Sequence, residues 1–458
     1  MRYQNFPRNS LGDYSMKVHL ISQFVVAALI SQFAAAVHGE DAHWPQFRGP
    51  DSSGSAASAK LPEKWSTSEN VAWKADIPGK GWSSPIVWGD RVFVTTVSSD
   101  EPGREPRKGL YIQDLRGTIP TGTHHWQVQC LDLASGKELW RKEAHAGKPS
   151  FTIHLKNSYA SETPVTDGKH VYAYFGNVGL FCYDFAGELK WSRTWDPVET
   201  RLGWGTAASP ALHDGRIYLV NDNDKESYLV ALDAATGKDI WRVKREEKSN
   251  WATPFVWKND LRTEIVTAGT GKVRSYDLDG KVLWELGPMS MTAIPTPFAA
   301  HGLLYVTSGY VMDSTRPMYA VRPGAKGDIS LKGEQKSNEF IAWSLPQIGP
   351  YHPTPVVVGE TLYVLYDRGL LAGFDAKTGR ELLARTRLTG GTAYTASPWS
   401  AGGKLYCLSE DGDTLVIEPG STLQILATNR LEEMALATPA IAGDRLLIRT
   451  QSKIYCVK

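Results

Sequence analysis

The chain repeats one short pattern of polar and apolar positions. A serine or threonine followed by proline precedes a short apolar run, and a second β-rich run follows after a turn such as Trp88-Gly89-Asp90. Two short runs joined by a glycine-containing turn predict a β-hairpin. The pair occurs eight times, mostly 41 to 46 residues apart, at Ser84-Pro85, Thr163-Pro164, Ser209-Pro210, Thr253-Pro254, Thr296-Pro297, Thr354-Pro355, Ser397-Pro398 and Thr438-Pro439.

A third apolar run, a turn and a fourth run complete each repeat, most clearly over residues 231–241. Four short strands in about 40 to 50 residues are typical of a propeller blade, because one small twisted sheet cannot bury both of its faces alone. We therefore predict an all-β fold, an eight-bladed β-propeller of four-stranded antiparallel blades.

The two ends of the chain predict how the ring closes. The last repeat stops after a third strand at Ile454–Lys458, whereas Val71–Lys74 reads as a fourth strand with no preceding three. Pairing these segments completes one blade and leaves no long edge exposed. The single propeller domain is thus expected over residues 71–458, after an N-terminal extension over residues 40–70.

The first 39 residues resemble a secretory signal peptide. Lys17 precedes an interrupted apolar run from Val18 to Ala36, and small residues follow up to Gly39. The start codon could be Met16, because residues 2–15 are polar. A membrane anchor is the alternative, but the run is shorter than the ~20 apolar residues that a spanning helix needs. We expect a periplasmic or extracellular protein without a membrane anchor.

Charge and composition exclude several classes of protein. The 50 basic and 49 acidic residues give a net charge of +1, so there is no bulk field to attract nucleic acid. The length of 458 residues alone would suggest about three domains of ~150 residues, but the repeat favours one ring. The four cysteines form no Cys-x-x-Cys motif, and we expect them to be free and buried.

The 16 tryptophans are the compositional anomaly. A flat ring at one fixed place in each blade suits packing between neighbouring blades, with its N–H reaching the next turn. We predict this docking role for the fourth-strand residues Trp73, Trp140, Trp191, Trp241, Trp284 and Trp343.

The repeats have the form Leu-Asp-x-x-[Ser/Thr]-Gly-Lys-x-x-Trp, as in residues 232–241, and so resemble the PQQ-like repeat propellers. That family includes the quinoprotein dehydrogenases and the outer-membrane assembly scaffold BamB. Residues 44–51, Trp-Pro-Gln-Phe-Arg-Gly-Pro-Asp, also resemble the start of secreted bacterial, planctomycete-type members. The resemblance covers roughly residues 44–458 and implies the propeller fold.

The chain departs from both functional types. The dehydrogenases carry adjacent cysteines over the quinone, an Asp base and a Glu/Asn/Asp calcium set, whereas no two cysteines are adjacent here. BamB is lipid-anchored through an N-terminal cysteine, which this chain also lacks. We therefore predict no catalytic residue and no firm cofactor, with PQQ and Ca²⁺ as the cofactors if the chain is a dehydrogenase.

The segments that enter each first strand cross the upper mouth of the central channel and carry aromatic and polar residues. Aromatics and a few polar groups in one concave space are the usual signature of a ligand site, although each ring could instead pack against its own loop. The candidates are Trp82, His154, Lys156, Tyr159, Glu162, Arg201, Trp204, Asn250, Trp251, Tyr351, His352 and Tyr394.

Two long insertions interrupt the pattern. The first, residues 98–123 with Arg104, Arg107, Lys108 and Arg116, is predicted to lie on the upper face, where it could cover the channel or be a solvated loop. The second, residues 323–338, is expected on the opposite face. Carboxylates at 222–224 and 410–413 fall where hairpin turns are required, so no metal site is predicted.

These observations favour a non-catalytic binding or assembly scaffold, similar to BamB. A PQQ-dependent oxidoreductase with its site in the central channel is one alternative, and a carbohydrate- or peptide-binding propeller is another. The expected partner is a protein of the cell envelope or a small ligand in the channel.

Overall fold

The computed structural model describes residues 1–5, 43–111 and 117–458. Residues 1–5 belong to a separate unit and contain no strand or helix. The predicted signal peptide at 1–39 lies almost wholly outside the described residues, as does Arg116 of the first insertion. In the described part of the chain, no helix is both long and apolar enough to cross a membrane.

The propeller unit forms eight small sheets, as the repeat predicts. In every blade the first strand begins directly after the Ser/Thr-Pro pair, because proline has no N–H to donate to a sheet and is tolerated just before a strand.

The strands of each blade run in order from the channel outwards. Blades 1 to 4 comprise Ile86–Trp88, Arg91–Ser99, His124–Asp132 and Glu138–Gly147; Val165–Thr166, His170–Phe175, Gly179–Asp184 and Leu189–Thr194; Ala211–His213, Arg216–Asn221, Ser227–Asp233 and Asp239–Arg245; and Phe255–Lys258, Thr263–Ala268, Val273–Tyr276 and Val282–Leu286.

Blades 5 to 8 continue the same order around the ring. They comprise Phe298–Ala300, Leu303–Thr307, Met318–Val321 and Ile341–Leu345; Val356–Val358, Thr361–Tyr366, Leu370–Asp375 and Glu381–Arg387; Trp399–Ala401, Lys404–Leu408, Asp413–Glu418 and Gln424–Arg430; and Ala440–Ala442, Arg445–Arg449, Lys453–Val457 and Val71–Asp76.

Blade 8 closes the ring as predicted. Its fourth strand, Val71–Asp76, pairs antiparallel with Lys453–Val457, and Trp73 lies opposite Cys456. The Lys453 Nζ also contacts the Asp76 carboxylate at 2.8 Å. The two ends of the propeller are therefore held in one sheet.

Three blades carry an additional short strand that the repeat did not predict. His43–Trp44 pairs antiparallel with the first strand of blade 1, and Ser55–Ala56 pairs parallel with the first strand of blade 7. Within the second insertion, Gly327–Asp328 pairs parallel with the fourth strand of blade 4. These strands have two residues each and depend on the edge they join. The one helical element is a 3₁₀ turn at Arg201–Gly203 in the described chain.

The predicted packing of the tryptophans between blades is confirmed, and it includes Trp284, which is buried against blade 5. Five of the six also form the expected hydrogen bond to the next blade. Each of these indoles donates its N–H to a carbonyl in the next blade, as Trp191 does to Ala234 at 3.1 Å. Trp284 differs: it donates to the Glu264 carboxylate of its own blade at 2.7 Å, because the second insertion replaces the usual turn in blade 5. The other donor–acceptor pairs are Trp73 to Leu133, Trp140 to Phe185, Trp241 to Leu278 and Trp343 to Ala376.

The four cysteines are free and buried, as expected. Cys130, Cys182 and Cys456 lie in third strands and Cys407 in a second strand. Second and third strands are almost completely buried, whereas most positions of the outer fourth strands are exposed or half-buried. The core is thus concentrated between neighbouring blades rather than at the rim.

The N-terminal extension crosses the lower end of the channel. Arg48 is fully buried and donates to the carbonyls of Ser52 and Ser53 within the extension and to those of Thr354, Pro355 and Pro398 at the start of blades 6 and 7. Burial lowers the pKa of this guanidinium to about 9. The extension is therefore an integrated part of the propeller rather than a separate tail.

Candidate functional site

The eight Ser/Thr residues of the Ser/Thr-Pro pairs form a ring around the central axis, which we call the hydroxyl ring. Six of its hydroxyl oxygens accept the backbone N–H of the equivalent residue in the preceding blade, at 2.9 to 3.1 Å. The repeated pair thus links the blades near the axis as well as starting each strand. The bonds run from Ser84 to Thr163, Ser209 and Thr253, and from Thr296 to Thr354, Ser397 and Thr438.

A cavity of about 240 Å³ lies above the hydroxyl ring, and we call it the upper cavity. All eight ring residues line it, together with Phe47 from the N-terminal extension. The upper face is the one that carries the connections from fourth to first strands and from second to third strands. The cavity therefore has walls from these upper connections and a floor of hydroxyls and one phenyl ring.

Four aromatic side chains form one cluster in the wall of the upper cavity. The Trp204 and Trp251 rings lie 5.5 Å apart between centroids, and the Tyr310 and Tyr351 rings 5.2 Å apart. Each is less than a tenth exposed. The Trp251 indole donates to Gly205 at 2.7 Å, which fixes its orientation.

The first insertion contributes to the cavity from above. Gly109, Leu110 and Tyr111 line the upper cavity, so the described part of the insertion lies over the channel as predicted. It is held by blade 7, two blades away around the ring, where the Gly109 N–H donates to Glu410 at 2.8 Å and Lys108 contacts Asp411 at 2.6 Å. The insertion thus connects blade 1 to blade 7 at the mouth of the channel.

A buried ion pair joins the insertion, blade 2 and blade 7. The Lys156 Nζ lies 2.5 Å from the Glu410 carboxylate, and both side chains are more than nine-tenths buried. Thr395 donates a further hydrogen bond to the same carboxylate at 2.7 Å. Lys156 is the only lysine or arginine among the cavity-lining residues of the described chain, so its pairing leaves this wall electrically neutral.

Two histidines line the same cavity in different environments. Burial, followed by the nearby His352 and Lys156, lowers the pKa of His154 to about 4, so its imidazole is neutral at pH 7. The His154 Nδ1 accepts the Lys156 backbone N–H at 3.1 Å, which places the ring proton on Nε2. His352 instead contacts the Asp367 carboxylate through Nδ1.

The structure brings together seven of the twelve candidates named from the sequence. These seven line the upper cavity: Trp82, His154, Lys156, Trp204, Trp251, Tyr351 and His352.

The other five candidates lie outside the cavity lining, because each is held by its own loop or a neighbouring one. Tyr159 donates to Phe151 and Tyr394 to Gly390, both within their loops. Asn250 bridges Lys248, Thr270 and Ala293, and the Arg201 guanidinium lies over the Tyr310 ring. Glu162 accepts the Gly176 N–H in a fully buried place, and burial raises the pKa of its carboxyl.

Several residues of the site were not among the sequence candidates. Tyr111 and Tyr310 belong to connections between second and third strands, whereas the sequence candidates came only from the segments before first strands. Glu410 was assigned to a hairpin turn, which is where it lies, but its carboxylate points at Lys156, 254 positions away. Aromatic residues in both kinds of upper-face connection were the signal that could have found the tyrosines.

The residues present do not fit PQQ with Ca²⁺. The quinone carries several carboxylates, and the one lysine that lines the upper cavity is already paired with Glu410. No cavity-lining side chain in the described chain is a carboxylate, and no group of three or more His, Cys, Asp or Glu side chains there could hold a metal. Burying unpaired carboxylates at this place would be strongly unfavourable.

Part of this chain is similar in sequence to proteins of known function. BamB of Moranella endobia is 24% identical over 212 residues, which cover 42% of this chain and 51% of that protein. A polyvinylalcohol dehydrogenase from a Pseudomonas species is 21% identical over 252 residues, or 52% of this chain and 31% of that protein. The matches therefore span about half or less of these relatives.

Solved structures show the same fold at low identity. BamB from Moraxella catarrhalis superposes with a TM-score of 0.55 at 12% identity, covering 84% of this chain and 96% of that one. The quinohemoprotein alcohol dehydrogenase ADHIIG from Pseudomonas putida HK5 gives 0.56 at 11% identity, covering 91% and 80%. An assembly factor and an alcohol dehydrogenase thus share this architecture, and the fold alone does not distinguish between the two functions.

The profile of one family matches most of the propeller. Residues 124–296 and 225–458 match the family described as outer membrane protein assembly factor BamB, which together is more than half of the chain. This protein therefore belongs to that family of PQQ-like repeat propellers.

Proposed function

We propose that this chain is an exported, non-catalytic binding or assembly scaffold of the periplasm or extracellular space, and that it binds its partner through the upper face of the propeller. The observation that carries the proposal is the upper cavity itself. Its walls come from connections of several blades, its floor is closed by the N-terminal extension, and its one lysine is neutralised by Glu410.

The rim around the upper cavity also favours a binding role. Met291 and Met312 are both exposed, at 40% and 62%, and lie in upper-face connections. Met312 follows the cavity-lining Val311, and Met291 lies in the same connection as the cavity-lining Ile294. Exposed methionines are adaptable apolar contacts, which suits the docking of a protein partner. The family match to an assembly factor agrees with this role.

The proposal is tested by capture of partners in intact cells. The full-length chain is tagged, expressed in its native host and crosslinked before the envelope fraction is purified. We expect one or more envelope proteins to be recovered with the wild type. Recovery of no partner would count against the proposal.

Two matched variants locate the binding face. Met312 lies on the upper face, whereas Leu261, 67% exposed, lies on a lower-face turn of blade 4. We expect Met312→Arg to reduce partner recovery several-fold and Leu261→Arg to leave it unchanged. Equal loss in both variants, or loss only with Leu261→Arg, would contradict an upper-face site.

A further inference from the structure

We propose that the upper cavity binds an uncharged saccharide of about one or two rings. This inference rests on the proposed binding role of the upper face and names the chemistry of the ligand within it. Four features of the cavity carry it: its aromatic wall, the unused hydrogen-bonding groups of its floor and wall, its electrical neutrality and its size.

The aromatic cluster offers flat apolar surfaces at the mouth. The Trp204 and Trp251 planes are tilted by 41°, and Leu110, Ile294 and Val311 extend the apolar wall. The C–H faces of a sugar ring pack on such rings, while its hydroxyls stay available for polar groups. A strongly polar wall would not offer this surface.

The floor supplies hydroxyl groups with unused hydrogen-bonding capacity. Each of the six linked hydroxyls in the ring accepts a backbone N–H, so its own O–H proton remains to be donated. The described residues provide no acceptor for these protons. The Ser84 and Thr296 hydroxyls lie where the ring of bonds is interrupted, and they make no hydrogen bond to any described residue, although both line the cavity.

The two histidines add polar groups at the wall. His154 Nε2 carries a proton and has no partner in the described chain, and His352 Nε2 likewise has none. Hydroxyl groups of a saccharide both donate and accept hydrogen bonds, so they can satisfy this mixed set. Such groups left unpaired beneath a bound apolar ligand would cost free energy.

The side chains that line the cavity favour an uncharged ligand over an ionic one. Lys156 is paired with Glu410, and the buried His154 is neutral at pH 7. A uronate or an amino sugar would therefore bring a charge against a lining whose one basic side chain is already paired. The neutral saccharide is the oxygen-rich ligand that avoids this cost.

The dimensions of the cavity limit the ligand. Its volume of about 240 Å³ is slightly below the ~300–1,000 Å³ of sites for drug-sized ligands. The hydroxyl ring and Phe47 close it below, and residues 109–111 lie above it. One or two sugar rings suit this space, whereas an extended peptide would need a longer groove or a free strand edge.

The test is calorimetric titration of the full-length protein with a panel of neutral mono- and disaccharides, the matching uronates and amino sugars, and tetra-alanine. We expect saturable binding of at least one neutral sugar, with its charged counterparts at least ten-fold weaker. Binding of no neutral sugar, equal or tighter binding of the charged forms, or binding of the peptide alone would overturn the inference.

Variants connect the binding to the floor of the cavity. Ser84→Ala with Thr296→Val removes two cavity hydroxyls but none of the six bonds of the ring, so we expect the melting temperature to be unchanged and sugar affinity to fall about five-fold or more. Tyr394→Phe alters a buried hydroxyl outside the cavity lining and should bind like the wild type. If the double variant melts early, the two single variants are measured instead. Unchanged affinity in folded variants would contradict the inference.

The outcome is separable from that of the proposed function. If no sugar binds while envelope partners are still recovered in a Met312-dependent way, the saccharide inference fails and the scaffold role stands. If neither occurs, both fail.

Discussion

Individual residues make the upper cavity neutral although charged groups stand at its wall. Lys156 and Glu410 come from blades 2 and 7, and each compensates the other in a place where an unpaired charge would be costly. The same carboxylate accepts the Gly109 N–H, so one acidic residue both neutralises the site and holds the insertion over it. His154 is neutral through burial rather than through a partner.

The lowered pKa of His154 predicts a pH dependence of stability. The folded protein holds this pKa at about 4, below the ordinary value of 6.5, so the unfolded chain binds the proton more readily. This stability is complete above about pH 6.5 and is lost as the pH falls towards 4, by up to about 3 kcal/mol. Denaturant unfolding across that range should show the full loss in the wild type and in His301→Gln, an exposed histidine, and a clearly smaller loss in His154→Gln. A wild-type slope in His154→Gln would contradict the assignment.

At the level of elements, the blades are joined by a tryptophan on one side and a glycine turn on the other. A Cβ at Gly237 would lie 2.6 Å from the Trp191 ring, so the turn must be glycine for the indole to dock. Its φ of +69° also favours glycine. Both the backbone conformation and the close packing therefore require glycine at position 237.

A matched pair of substitutions separates these two demands. Gly215 in the same blade has the same φ of +69°, but a Cβ at this position would have no neighbouring atom within 4 Å. Gly215→Ala should lower the free energy of unfolding only through backbone strain. Gly237→Ala should lower it by about 1 to 3 kcal/mol more, because the added Cβ displaces the Trp191 ring. Chemical denaturation of both variants measures the difference. Equal losses would show that the ring contact contributes nothing.

The elements also show what the sequence could predict. The blade pattern was readable because the Ser/Thr-Pro pair and the Gly-Lys-x-x-Trp turn recur with a nearly constant spacing. The two-residue strands at His43–Trp44 and Ser55–Ala56 could not be predicted from the sequence, because they have no periodicity of their own and form only against the edge of an existing sheet. The candidate site could be predicted only in part for a similar reason. Tyr111 and Tyr310 line the cavity because ring closure brings their loops there, and no local sequence motif marks them.

For the whole molecule, stability depends on closing the ring. Blade 8 takes three strands from the C-terminus and its fourth from residues 71–76, so this blade is complete only when both ends meet. The interface between blades 8 and 1 is also held by the fully buried Arg449, which donates to Ser83 and Thr95. The strand pairing within blade 8 and the Arg449 hydrogen bonds to blade 1 therefore both hold the ring closed.

Removal of residues 453–458 should therefore prevent stable folding. The deletion takes away the fully buried Ile454, Cys456 and Val457 and the nearly buried Tyr455, and it leaves the strand at 71–76 without its partner. Burial of four such side chains contributes roughly 6 to 10 kcal/mol, which is comparable to the whole stability of a typical domain. Calorimetry should show loss of the cooperative transition, whereas removal of residues 2–5 should leave it intact. A cooperative transition at the wild-type temperature in the first variant would contradict closure by these strands.

Reconstitution of the purified full-length protein with PQQ and Ca²⁺ shows whether this propeller is a binding protein or a quinone-dependent oxidoreductase. Quinone absorbance is followed after gel filtration, and dye reduction is measured with alcohols and sugars. We expect no quinone to be retained with the protein and no turnover, because the one basic side chain of the cavity lining, Lys156, is already paired and is not available to the quinone carboxylates. Stoichiometric quinone retention with calcium-dependent dye reduction would contradict this expectation.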